Sequence, residues 1–173
     1  MRTRLVILLL GAAAATFLAC HEAPTAPIAV ALELDRDTYV AVPVDSTGRY
    51  AFRIVVQYQN GTSASIYLGL CRPGDPSPIF DVPTSDGTSQ SGYSAVWACT
   101  GTSPLEFPPG ARRTDSLLIL GPNVYDGITH EPLGVLAGSF RLEYQTERCA
   151  GDAPACAQAG PRVASAPFQV RLP

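Results

Sequence analysis

A chain of 173 residues with 46% hydrophobic and only 16% charged residues is long enough for one folded domain and too apolar for a disordered polyelectrolyte. All 12 basic residues are Arg, the formal net charge is -3, and the one adjacent basic pair, Arg112 and Arg113, falls in an expected turn. That excludes the basic stripe by which nucleic-acid binders displace condensed counterions.

The chain opens with "MRTR" and the apolar run "LVILLLGAAAATFL", a positively charged segment followed by a hydrophobic one of 14 residues. As a helix the run would span roughly 21 Å, short of the ~30 Å hydrocarbon core, so it reads as an export signal and not as a permanent span. The run ends at "FLAC", with Leu18, the small Ala19 and then Cys20. This order of basic, apolar, small and cysteine resembles the lipobox of bacterial lipoproteins. The resemblance implies cleavage before Cys20, acylation of that thiol, and an envelope location with a lean toward the outer membrane from His21 at the second position. Residues 1–19 are then the signal peptide, and the loss of Arg2 and Arg4 takes the net charge to -5. Residues 20–27, rich in Pro and Ala, form an extended tether, and residues 28–173 form a single domain without internal repeats.

Period-two alternation dominates the domain, and no window shows helical periodicity. The clearest case is "YAFRIVVQYQ", where Tyr50, Phe52, Ile54, Val56 and Tyr58 form a core face and Arg53, Gln57 and Gln59 lie opposite. The Asn60–Gly61 pair that follows predicts a type I′ hairpin to a strand with Ala64, Ile66, Leu68 and Leu70 in phase. Asn60, Gly61 and Thr62 also spell an N-glycosylation acceptor, for which the turn is the preferred explanation. Further strands are expected at Val30 to Leu34, at Tyr93 to Trp97, at Leu105 to Phe107 before "PPG", at "TDSLLILG", at Phe140 to Thr146 and at Phe168 to Leu172. "TDSLLILG" is apolar enough to be buried on both faces. Eight or nine strands with turn signals between them predict an all-β, Ig-like antiparallel β-sandwich with Greek-key connections. Two long connections interrupt it: 72–92, with a short edge strand around Ile79 to Val82, and 121–137.

With Cys20 assigned to lipid, Cys71, Cys99, Cys149 and Cys156 remain, an even number in an oxidising compartment. Three pairings are possible. The favoured one joins Cys71 to Cys99 and Cys149 to Cys156, the latter closing a hairpin loop at "CAGDAPAC". The spacings lack the C-x-x-C pairs of a zinc site, and no cofactor is expected.

After export the histidines are His21, in the tether, and His130. A Ser-His-Asp arrangement would need His130 with Asp126 and a serine such as Ser94 in "GYSAV", which lacks the final Gly and the following helix of a nucleophile elbow. Paired carboxylates for glycoside chemistry would have to come from Asp35 with Asp37, or from Glu143 with Glu147; both pairs are expected on solvated surface. "DRD" at 35–37 lacks the Gly and distal Glu of a calcium loop.

The series "LEFPPG", an apolar strand, then "DGITHEPLGVLAGSFRLEY" resembles the Ig-like sandwich of the intracellular proteinase inhibitor family and its exported bacterial relatives, with Pro109, Gly110, Gly138, Phe140 and Leu142 at matching places. It implies the fold and assigns no active residue. The expectation is a non-enzymatic, lipid-anchored module that meets the membrane through its acylated N-terminus and binds a protein or envelope polymer through its loops. The alternatives are a proteinase inhibitor acting through the 72–92 loop and a carbohydrate-binding module. The latter would have to rely on Tyr67 and Tyr125, since Trp97 is expected inside.

Overall fold

The computed structural model describes residues 31–44, 46, 48–94, 99, 103–122, 134–149 and 156–173, with 31, 103, 148, 149, 156–159 and 161 described by backbone alone. The described residues form strands and no helix: β1 (Ala31–Leu34), β2 (Thr38–Val40), β3 (Val42–Pro43), β4 (Tyr50–Gln59), β5 (Ile66–Leu70), β6 (Phe80–Asp81), β7 (Ser103–Phe107), β8 (Arg112–Gly121), β9 (Gly138–Phe140), β10 (Glu143–Cys149), β11 (Cys156–Ala164) and β12 (Phe168–Arg171). The protein is an all-β sandwich, as its alternation predicts. The segments outnumber the expected strands because β2, β3 and β11 are additional and the stretch expected at Phe140 to Thr146 divides into β9 and β10; of the strand expected at Tyr93 to Trp97, Tyr93 stands in a turn and residues 95–97 lie outside the described residues.

Two ten-residue strands organise the molecule. β4 and β8 pair antiparallel along their whole length, from Tyr50 opposite Gly121 to Gln59 opposite Arg112. β1 and β3 share the other edge of β4. A second sheet runs in the order β11, β10, β5, β7, with β6 also on β10, and a third in the order β2, β12, β9. These two sheets merge where β9 leads into β10 and β11 into β12: Ser165 N donates to Leu142 O, and Leu142 N donates to the Ser165 hydroxyl. The first strand divides between the layers, with β1 antiparallel to β4 and β2 parallel to β12. Asp35 holds that crossing, because one carboxylate oxygen accepts both the Val55 N–H at 2.9 Å and the Tyr39 hydroxyl at 2.8 Å.

The structure corrects the hairpin expected at Asn60–Gly61. β4 pairs with β8, β5 pairs with β7 and β10, and Gly61 does not adopt positive φ. The β4/β8 ribbon instead continues past Gln59, where Asn60 N donates to Ala111 O and Gly110 N to Asn60 O, and then passes into β5/β7 in the other sheet. On the partner strand the crossing is a turn closed by Ala111 N on Pro108 O, with Pro109 and Gly110 in its centre and Gly110 at φ 74°. Asn60 is fully buried between the two crossings. Its Nδ2 donates to Phe107 O at 2.8 Å and Ala64 O at 2.9 Å, while Oδ1 accepts the Thr62 N–H and lies 2.6 Å from the Thr62 hydroxyl. Such an amide is closed to a glycosylating enzyme.

Three further readings change. "TDSLLILG" is buried on one face only, with Leu117 and Ile119 inside and Leu118 51% exposed. Arg112 and Arg113 open β8 and are not in a turn. β2, β3 and β11 were not expected as strands.

The core lies between the layers and is strongly aromatic. Phe52 packs against Tyr39 at 5.5 Å and Tyr93 at 5.0 Å between ring centroids, and Tyr93 against Phe140 at 5.3 Å. At the end nearer Asn60, Tyr58 meets Phe107 at 4.8 Å and Tyr144 at 5.3 Å. Offset and edge-on geometries of this kind add to the area these rings bury.

Candidate functional site

Alternation on β1, β4 and β8 sends Leu32, Tyr58 and Asp115 inward and Glu33, Gln57 and Thr114 outward. Glu33, Gln57 and Thr114 form one cross-strand row on the outer face, and Gln59 and Arg112 stand in the next. With Tyr58 and Arg113 they line a polar cleft of about 360 Å³. Among the described residues, the side chains of Glu33, Gln57, Gln59, Arg112 and Thr114 make no hydrogen bond or ion pair. The cleft thus offers a carboxylate on one side, two amides in the middle and a guanidinium with a hydroxyl on the other.

Its floor is fixed. Arg113, the inward neighbour of Arg112, donates Nε to Asp115 Oδ1 at 2.8 Å and Nη2 to Pro76 O, which ties β8 to the start of the 72–92 connection. Asp115 is buried and accepts the Tyr144 hydroxyl on Oδ2 at 3.2 Å. Burial and then the Asp115 charge push the Tyr144 hydroxyl far above the usual phenol range; the same two causes act on Tyr58. Arg113 is held more firmly protonated than usual: burial works against its charge, and the Asp115 carboxylate outweighs it. These buried groups position β4 and β8 and leave Arg112 unengaged at the rim.

The residues singled out from sequence fall elsewhere. A disulfide joins Cys71 to Cys99, closing the end of the β5/β7 pair across a separation of 28 residues, where loop entropy gives about 3.6 kcal/mol. The β10/β11 ladder sets Cys149 opposite Cys156; their side chains lie outside the described residues. So do Cys20, His21, Trp97, Tyr125, Asp126 and His130. Ser94 is described and engaged.

The two carboxylate pairs are not brought together as pairs. Asp35 serves the strand crossing and contacts Arg36 at 3.2 Å, and its carboxyl is held below the usual range because the Val55 N–H and Tyr39 hydroxyl outweigh desolvation. Glu143 pairs with Arg162 at 3.0 Å, and Arg162 also reaches Asp81. Glu147, expected on a solvated face, is 7% exposed, with no hydrogen-bond partner on either oxygen among the described residues. It points away from the sandwich core but lies over Gly69, where an added Cβ would fall 2.9 Å from Oε1, beside Ile79. Among the described residues no three metal-ligating side chains converge.

The 72–92 connection is largely committed to the fold. Ile79 N donates to Gly69 O, Gln145 N to Ile79 O, Arg141 N to Pro83 O and Ser85 N to Ser139 O, so β6 and its flanks run along β10 and β9. Two stretches are exposed, 72–76 in all but Asp75 and 86–90, and both fold back: Asp75 N donates to Arg72 O and Arg72 N to the Asp75 carboxylate, while Gly87 N donates to Thr84 O, Asp86 accepts the Thr88 and Ser89 N–H groups and Gln90 O accepts Val135 N. Each exposed stretch is a turn or bend and not an extended strand. Tyr67 is half-buried in β5.

The cleft residues were only partly visible beforehand. The outward phase of Gln57 and Gln59 was legible, but their company with Glu33 and Arg112 is set by long-range pairing. No family model matches the chain, and no curated protein or solved structure matches it.

Proposed function

We propose that the protein is a lipid-anchored, non-enzymatic binding module of the bacterial cell envelope, built on an Ig-like sandwich and held to the membrane by acylated Cys20. The observation that carries this reading is the N-terminal order of "MRTR", a 14-residue apolar run and "FLAC". The Cys71–Cys99 bond fits an oxidising compartment. The division of the first strand between two layers, with β2 parallel to the final strand, supports the Ig-like assignment. Two or three acyl chains anchor stably, since each buried CH₂ contributes about 0.8 kcal/mol.

The binding surface on this reading is the outer face of β1, β4 and β8, in place of the loops. β1 is also where the tether enters the domain, and the ten residues 21–30 reach at most about 36 Å. The cleft therefore stays close to the envelope surface.

The experiment is expression in a bacterial host with and without globomycin, which blocks lipoprotein signal peptidase. The expected result is accumulation of the uncleaved precursor, and the same accumulation for Cys20→Ser without the drug. Processing that ignores both would refute the anchor.

A further inference from the structure

We infer that the cleft on the outer face of β1, β4 and β8 binds short peptides that carry both a free amine and a free carboxylate. This deepens the binding-module reading and rests on it.

The inference starts from two opposite charges that do not neutralise each other. Glu33 and Arg112 lie on strands that flank β4, one row apart. Strand spacing and rise place their Cα atoms about 12 Å apart. Neither finds a counter-ion among the described residues, although both line one cleft. Between them stand Gln57 and Gln59, two free amides on the same face of β4. Each amide offers donors and acceptors together, which is the hydrogen-bonding pattern of a peptide group.

A ligand laid across the strands would set its amine at Glu33, its peptide groups over the two glutamines and its carboxylate at the planar fork of Arg112, with Thr114 beside it. Arginine favours planar, two-point recognition of carboxylates. Three extended residues span about 10 Å, which suits the separation once the side chains lean inward. The cleft's about 360 Å³ is at the small end of ligand sites. A saccharide is the poorer fit, because the one aromatic residue of the lining, Tyr58, is buried with its ring among Phe107 and Tyr144. It offers no face for a sugar to stack on.

The test is calorimetric titration of the detergent-solubilised, full-length mature protein with trialanine, N-acetyl-trialanine, trialanine amide and a trimer of N-acetylglucosamine. Trialanine is expected to bind. Blocking its carboxylate or replacing Arg112→Gln should weaken binding about tenfold or more, and blocking its amine or replacing Glu33→Gln should do the same, as loss of a charge-assisted contact implies. Each variant should be insensitive to the block that removes its own partner, so that the two losses do not add. No heat with trialanine, equal binding of free and blocked peptides, or binding of the saccharide alone would overturn the inference. Retention of the protein on isolated envelope polymer together with silence toward trialanine would overturn the ligand class while leaving the binding-module reading standing.

Discussion

Asn60, at the crossing between two sheets, and Glu147, within β10, are both polar and both buried, and they are opposite cases. Asn60 spends its whole amide on four contacts that join two chain crossings. Glu147 makes no hydrogen bond among the described residues, although its oxygens are sealed from solvent and lie against the open side of Gly69. Burial alone therefore says little about whether a polar group supports the fold. Satisfaction decides it: a buried hydrogen-bonded amide stabilises and specifies, whereas a buried charge without a partner opposes folding.

The largest expected effect tests the first half of this contrast. Asn60→Ala should destabilise the domain by about 3 kcal/mol, because it strands the Phe107 and Ala64 carbonyls as well as removing the amide. Asn60→Asp should be at least as damaging, since a carboxylate has no N–H to offer those carbonyls. Denaturant midpoints at constant m-value would measure both. Wild-type stability in either variant would break the account of the corner.

Glu147→Met should act in the other direction, raising stability by about 2 kcal/mol as a buried carboxyl group without a hydrogen bond gives way to an apolar chain of similar length. A loss of stability in that variant would mean that the carboxylate has a favourable role. Between the two stands Tyr144→Phe, which removes one of the bonds to Asp115 and leaves Arg113 in place. It should cost about 1 kcal/mol in the same assay.

The tyrosines extend the contrast to pH. Burial holds Tyr39, Tyr58, Tyr93 and Tyr144 above the ordinary value of 10.0, with Tyr93 pushed up to about 12. A raised folded pKa means that these groups contribute full stability below pH 10, which is lost as pH rises through the folded values. Tyrosinate absorbance from these four rings should therefore appear only well above pH 10, together with loss of the fold. A single stage centred on 10 would contradict the packing of these rings. The smallest effects belong to the cleft, where Arg112→Gln and Glu33→Gln should leave stability within about 0.5 kcal/mol of the parent.

The sequence discloses the layers of this molecule better than their connections. Alternation at Tyr50 to Tyr58 and at Phe140 to Thr146 reports the buried face directly, because the side-chain period of a strand is fixed at two. Asn60–Gly61 misleads for a physical reason. The same pair suits a tight hairpin, yet an Asn side chain that bonds Thr62 N also stabilises a wider bend, and local sequence does not distinguish them. β11 was illegible because "CAQAGPRVA" carries Ala, Gly and Pro in place of β-branched residues; its pairing with β10 supplies what propensity withholds. The cleft was illegible as a site for a related reason. Glu33, Gln57 and Arg112 are far apart in sequence and meet only through the register of β1, β4 and β8.

The anchor remains the claim on which the functional account stands, and the mass of the N-terminal peptide of the mature protein, extracted from membranes and digested, tests it most directly. The account predicts that the peptide begins at Cys20 and carries two or three acyl chains. A peptide that begins upstream of Cys20, or one that begins there with an unmodified thiol, would contradict it.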